Sequence, residues 1–167
     1  MSTYKQFKPK KYDDYFTRKI ELKQLAPFIP KNAIVSMPFY SPYCKCNRIL
    51  SKYIDNKIIY KNEDFFDNDR GTMVFDTPPT RKKKKIILEL IKRNKPFMLI
   101  VPVSTLAYNY SKPLKNYLQL LFFKSRPSFI QCDPDTGKIK DKNYRRPYDS
   151  VVMCWRMNFK KDINYIE

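Results

Sequence analysis

Apolar residues along this chain fall into short runs set apart by charged or proline-bearing segments. Ala33-Ile-Val-Ser-Met-Pro-Phe39 predicts a short buried strand, and Lys57-Ile-Ile-Tyr-Lys-Asn62 the next one. Between them Ile49, Leu50, Tyr53 and Ile54 recur at the spacing of one helix face. Upstream, Thr17 can cap a short helix through Ile20, Leu22 and Leu25, which Pro27 and Pro30 end. The segment 63–69, Glu-Asp-Phe-Phe-Asp-Asn-Asp, reads as a loop. Thr72 to Thr77 predicts a strand, and Ile86, Ile87, Leu90 and Ile91 form a second helical stripe.

Residues 97–103 are a continuous apolar run, which marks a strand covered on both faces. A polar and aromatic stretch over 104–112 leads to a helix expected near 113–123. Pro127–Cys132 and Ser150–Phe159 predict two late strands, joined as a hairpin-like pair by Asp133-Pro-Asp-Thr-Gly137 and the basic loop 138–149. This alternation predicts an α/β fold with a mostly parallel sheet and an antiparallel edge strand from the C-terminal pair. No composition break divides residues 15–167, so they read as one domain. Residues 1–14 read as a basic arm, with Lys5, Lys8, Lys10 and Lys11 and no acid in the first twelve positions. On open α/β sheets ligands bind at the carboxyl ends of strands. Thr77-Pro78-Pro79-Thr80 lies at such an end, so chemistry is expected there.

Charge then narrows the partners. The 34 lysines and arginines outnumber the 16 acids, for a net charge of +18. Such a surplus suits nucleic acid first and an anionic membrane surface second. A coding bias toward Lys, Asn, Ile and Tyr would raise the charge without any partner. No histidine occurs, which removes the commonest general base and metal ligand. Of the four cysteines, Cys44 and Cys46 are too close for a usual zinc knuckle and no second close pair exists, so reduced core thiols are expected rather than a metal site. The N-terminal stretch lacks the apolar segment of a secretory signal, and no apolar run approaches about 18 residues. These features lead to the expectation of an intracellular protein, in host cytoplasm or nucleus, or in a virion assembled there.

The ordered segments Thr17-Arg-Lys, Leu25-Ala-Pro-Phe-Ile-Pro with Ala33–Tyr40, Asn62-Glu-Asp-Phe-Phe66, Val74-Phe-Asp-Thr-Pro-Pro-Thr80, Lys95-Pro-Phe through Leu106, and Tyr148–Trp155 carry a resemblance. Together they are similar to the viral and phage type of S-adenosylmethionine-dependent DNA adenine-N6 methyltransferases, across nearly the whole chain from about Tyr15 to Phe159. The resemblance implies a Rossmann-like methyltransferase fold. It implies a catalytic motif at Asp76, Thr77, Pro78, Pro79 and Thr80. It also implies, where retained, a cofactor site at Thr17, Pro38, Phe39, Tyr40, Glu63, Asp64 and Phe65. Such an enzyme flips adenine out of its stack and holds it against a polar acceptor and an aromatic ring.

The chain departs from that pattern at both ends of the site. Thr77 stands where the family has Asn or a close variant, and a hydroxyl lacks that planar acceptor. Thr80 stands where the family has a stacking ring. Asp76 is adjacent but is expected to face the other side of the strand. Where the family has an acid and a glycine-rich loop, this chain has Met37-Pro38-Phe39-Tyr40-Ser41-Pro42-Tyr43. Pro42 excludes positive φ, and the whole chain has only Gly71 and Gly137. The expectation is a nucleic-acid-binding protein on a degenerate, inactive methyltransferase scaffold, with no cofactor and DNA favoured over RNA. S-adenosylmethionine would be its cofactor only if it were active, with Asp76 or Thr77 as acceptor. A virion or complex interaction protein, with a protein partner or a second copy of the chain, is the other alternative.

Two basic segments are the expected nucleic-acid contacts. Arg81, Lys82, Lys83, Lys84 and Lys85 would occupy a helix N-terminus, where cations are disfavoured without a compensating anion. Lys140, Lys142, Arg145 and Arg146 interleave with Tyr144, a mixture suited to single strands.

Overall fold

The computed structural model describes residues 15–167, and the basic arm expected at 1–14 lies outside the described residues. In chain order the elements are β1 (Tyr15–Thr17), α1 (Lys19–Leu25), β2 (Val35–Ser36), α2 (Cys46–Leu50), β3 (Ile58–Ile59) and β4 (Met73–Asp76). They continue with α3 (Lys83–Lys92), β5 (Phe97–Pro102), β6 (Leu118–Phe122), β7 (Phe129–Cys132), β8 (Ile139–Tyr144), β9 (Ser150–Trp155) and β10 (Ile163–Tyr165). Short 3-10 turns follow α1 and fill Val103–Ala107 and Asn109–Leu114.

Among the described residues, seven strands form one sheet in the order β10-β6-β9-β5-β4-β2-β3, and β1, β7 and β8 form a small antiparallel sheet. In the large sheet β3, β2, β4 and β5 are mutually parallel, as are β6 and β10. β9 alone runs antiparallel, between β5 and β6. The molecule is therefore mixed α/β, with a mostly parallel sheet.

Strand alternation sorts the core onto two faces. Phe75, Met98, Ile100, Val152 and Cys154 lie on one face with Leu22 and Leu25 of α1 and Leu50 of α2. Val74, Phe97, Leu99, Val101, Val151, Met153 and Trp155 lie on the other with Ile86, Ile87 and Leu90 of α3. Every residue of β5 and β9 is buried. That is why residues 97–103 read as an unbroken apolar run: both faces of this central pair are roofed.

Four expectations need correction. The antiparallel strand is β9, and it is inserted within the sheet rather than at its edge. Pro127–Cys132 does not pair with Ser150–Phe159. Its strand β7 pairs with β1 and β8 in the second sheet, and the expected loop 138–149 supplies strand β8. The helix near 113–123 is instead a 3-10 turn followed by β6, whose burial alternates with period two. Leu118, Leu120 and Phe122 pack on the α3 face while Leu121 packs on the other, so a leucine-rich stretch that suits either element is settled by tertiary partners. Finally, Thr17 does not cap α1. It closes β1, and the position before the helix is Arg18, which makes no side-chain cap.

Gln119 shows how the C-terminal segment is fastened. Its amide nitrogen donates to the carbonyls of Phe159 (2.9 Å) and Lys161 (3.1 Å), and its carbonyl accepts the Phe159 N–H (2.8 Å). Gln119→Leu keeps the volume and strands these backbone groups, so it should destabilise the fold by about 2 kcal/mol. A shift in the urea midpoint with unchanged denaturant slope checks it.

Candidate functional site

The chain reverses direction across the sheet between β2 and β4. From β2 it passes outward to β3, then returns to add β4 and β5 on the other side. Such a switch point leaves a crevice outside the carboxyl ends of the strands. A cleft of about 230 Å³ opens there, lined by segments 15–17, 37–41, 62–66 and 75–79 together with Cys44, Cys46, Lys82 and Arg146.

Each wall has a physical cause. β4 ends at Asp76 because Pro78 and Pro79 cannot extend a sheet ladder. Past that end the chain turns, and Asp76 and Thr77 both line the cleft. The expectation that Asp76 faces away assumes that strand alternation continues beyond the strand, and it does not. Asp76 Oδ2 accepts the Phe39 N–H at 3.0 Å, and Oδ1 accepts the Thr77 N–H at 2.8 Å. Burial pushes its carboxyl well above the usual range, against the pull of those two backbone bonds. Thr77 Oγ1 lies 3.0 Å from Thr17 Oγ1, so the end of β4 is tied to the end of β1 as well.

The segment after β2 is held by aromatic side chains. The Tyr60 hydroxyl, just past β3, donates to the Ser41 carbonyl at 2.7 Å and accepts the Ser41 N–H at 3.0 Å. Its ring lies 5.1 Å from that of Tyr40. Burial is the main cause that raises the Tyr60 hydroxyl above its ordinary pKa. The Tyr43 hydroxyl donates to the carbonyl of Asp135 at 2.8 Å in the β7–β8 turn. Gly137 in that turn has positive φ, and a Cβ there would overlap the Tyr43 ring. One of the two glycines in the chain thus makes room for the residue that anchors this loop.

The acidic loop after β3 is pinned from α3. Arg93 donates to the carbonyls of Phe65, Phe66 and Asn68 at 2.9–3.0 Å, with its guanidinium 4.7 Å above the Phe65 ring. Glu63 pairs with Arg70 at 3.1 Å, and that hydrogen bond holds its carboxyl below the ordinary value. Phe39 and Phe65 meet at 5.7 Å across the cleft wall.

Thr17, Pro38, Phe39, Tyr40, Glu63, Asp64, Phe65, Asp76, Thr77, Pro78 and Pro79 are all brought to this one cleft, while Thr80 is not among the lining residues. The basic residues divide. Arg81, Lys82, Lys84 and Lys85 are exposed beside the start of α3, with Lys82 reaching the cleft. Lys83 is only 8% exposed, and its ammonium lies 5.7 Å from the Tyr108 ring. Lys140, Lys142 and Arg145 are exposed on or next to β8, away from the cleft lining. Tyr144 stacks on Tyr15 at 5.1 Å. Arg146 is 4% exposed, with its guanidinium over Phe129 (4.2 Å) and Tyr15 (4.5 Å), so it forms a cleft wall rather than a surface contact. Cys44, Cys46 and Tyr60 also line or brace the cleft, and sequence reasoning does not place them there. The Cys-x-Cys spacing is the one visible signal, and as a metal motif it is too tight.

Among the described residues, no group of three or more Cys, Asp or Glu side chains is placed to hold a metal ion, and no helix is long and apolar enough to cross a membrane. No protein-family model matches the chain, and comparison with curated proteins returns no match.

The raised Asp76 pKa has a stability consequence. A carboxyl with a folded pKa above its unfolded value of about 3.9 contributes most below that value and loses its contribution as pH rises through the folded pKa. Relative to Asp76→Asn, the wild-type chain should therefore lose stability on going upward from about pH 4, by at most about 1.4 kcal/mol per pH unit. Urea midpoints of the two proteins between pH 4 and 8 check it, and parallel curves would mean that the carboxylate stays hydrated.

Proposed function

We propose that this chain is a nucleic-acid-binding protein built on a degenerate adenine-N6 methyltransferase-like scaffold that has lost catalysis. The observation that carries the reading is the engagement of the Phe39 N–H and the Asp76 carboxylate with each other at the switch point. That bond occupies the Phe39 N–H, and the Tyr60 hydroxyl occupies both backbone polar groups of Ser41, so these donors of the segment after β2 are not free for a ligand. Glu63, one of the residues that the resemblance assigns to the cofactor site, is paired with Arg70. The Rossmann-like part of the reading is supported by a parallel run with its crevice at the β2/β4 switch point and by a single inserted antiparallel strand.

The nucleic-acid part rests on charge. Four exposed cations at 81, 82, 84 and 85 flank a cleft walled by aromatic rings. Tyr108, 47% exposed, stacks on Tyr110 at 5.3 Å over Lys83, and such ring pairs offer a surface for bases. DNA is preferred to RNA only through the resemblance.

A second reading, an active adenine-N6 methyltransferase, keeps one observation in its favour: the cleft is open, and Asp76 and Thr77 both stand on its wall. Titration calorimetry with S-adenosylmethionine separates the two, with no heat expected. Labelled DNA should bind with an affinity that falls steeply with salt. Replacing Arg81, Lys82, Lys84 and Lys85 with alanine should weaken binding about tenfold or more. It should also flatten the log–log salt slope by about 0.9 for each phosphate that is no longer neutralised. Adenine methylation that disappears in Asp76→Ala or Thr77→Ala would establish the enzyme instead. No shift with any nucleic acid at low salt would favour a protein-interaction role.

A further inference from the structure

We propose that Cys44 and Cys46 are a reversible dithiol–disulfide pair in the cleft wall, oxidised by hydroperoxides that reach Cys44 through the cleft. The pair differs from the other two thiols in position and in contacts. Cys132 and Cys154 are buried in β7 and β9, away from the cleft lining. Cys44 lines the cleft and is partly exposed, whereas Cys46 is buried as the first residue of α2. The chain bends between them so that the Cys46 N–H donates to Cys44 Sγ at 3.5 Å. The Cys46 thiol donates to the Thr17 carbonyl at 3.3 Å. One thiol is thus open to a small oxidant and the other is held behind it, the arrangement of an attacking and a resolving cysteine.

The surrounding groups favour charge on the outer sulfur. The Cys46 thiol, the Cys46 N–H and the Tyr60 hydroxyl all lower the Cys44 pKa, the first of them most, while burial opposes them. Cys46 is shifted upward, chiefly by the neighbouring Cys44 side chain and by burial. The Asp76 carboxyl faces the pair from β4 and pushes the Cys46 thiol further up. A thiolate, not a thiol, attacks peroxide.

The chemistry balances in two steps. The Cys44 thiolate attacks one peroxide oxygen, the O–O bond breaks, and the departing alkoxide or hydroxide takes up a proton, leaving a sulfenic acid. Cys46 then attacks that sulfur, its proton leaves with the displaced hydroxide as water, and the S–S bond forms. Two thiols lose two electrons, and the hydroperoxide is reduced to an alcohol and water, or to two waters if it is hydrogen peroxide. The disulfide also removes the hydrogen that Cys46 gives to the Thr17 carbonyl. Thr17 holds Thr77 through its side chain, so the change is transmitted to the end of β4.

The full-length reduced protein, treated with stoichiometric hydrogen peroxide and then digested with trypsin, tests this directly. Cleavage after Lys45 separates the two cysteines, so an intramolecular disulfide leaves two short peptides joined by one bond. The expected result is loss of two of the four thiols, linked peptides ending at Lys45 and beginning at Cys46, and full recovery with dithiothreitol. Cys46→Ser should halt at a Cys44 sulfenic acid trapped by dimedone, and Cys44→Ser should leave Cys46 as slow as Cys132 and Cys154. Equal consumption of all four thiols, or linkage between two chains only, would overturn the proposal. Should a serine variant fail to fold, the presence or absence of the linked peptides from wild-type chain that migrates as a monomer without reductant still decides.

Discussion

The Asp76 carboxylate spans the gap where two neighbouring parallel strands hand over to loops. One oxygen takes the N–H of Thr77, at the end of its own strand, and the other takes the N–H of Phe39, beyond the end of β2. The rest of the cleft is arranged around this bridge. It fixes the path of the chain after β2, and that path places Ser41 against Tyr60 and Tyr43 against the β7–β8 turn. A carboxylate so desolvated opposes its own ionisation, so it is retained here at an electrostatic cost. Two backbone donors offset part of that cost, because charge-assisted bonds to N–H groups are stronger than neutral ones.

The loop that follows β2 shows how a segment without glycine is kept in place. A flexible loop relies on residues that tolerate positive φ. This one relies on Pro38 and Pro42 for rigidity and on three tyrosine rings for attachment. Its ends reach three different elements: β4 through Asp76, β3 through Tyr60, and the small sheet through Tyr43. Loop ordering is therefore distributed, and no single hinge can release it. This rigidity is the physical content of the proposal that the scaffold no longer wraps a nucleoside cofactor.

How much of this is legible in the sequence depends on the range of the contacts. β5 can be read from composition alone, because burial on both faces leaves no polar position between Phe97 and Pro102. α3 can be read from the spacing of Ile86, Ile87 and Leu90. The helix expected near 113–123 fails because its leucines fit either period, and only pairing with β9 decides between them. The strand over 129–132 can be read, but its pairing in the small sheet cannot, since it joins Tyr15 to Gln131 and Phe16 to Ile130 across most of the chain. The expected positions of four separate segments, apart from Thr80, line one cleft. What the motifs cannot carry is direction. Asp76 is expected on the wrong side when alternation is extended past the last strand residue. Arg146 is expected on the surface because a run of arginine and lysine gives no sign that one of them will lie between Tyr15 and Phe129.

The distribution of charge about the cleft constrains what the proposed nucleic acid could do there. Glu63, Asp64 and Asp76 line the cleft together with Lys82 and Arg146, and the exposed Arg81, Lys84 and Lys85 stand outside it at the start of α3. A phosphate entering the cleft would meet the acids Glu63 and Asp64 as well as Lys82, whereas one crossing the rim would meet only cations, Arg81, Lys82, Lys84 and Lys85. No acidic residue occupies the first turn of α3, so the helix dipole and these side chains act with the same sign. Lys83 escapes that repulsion by lying under Tyr108. A backbone following the rim would then direct uncharged base faces toward Phe39 and Tyr40, where stacking requires no charge. Under the proposed nucleic-acid role the aromatic cleft and the basic rim would form one surface, with the phosphates on the rim and the bases on the rings.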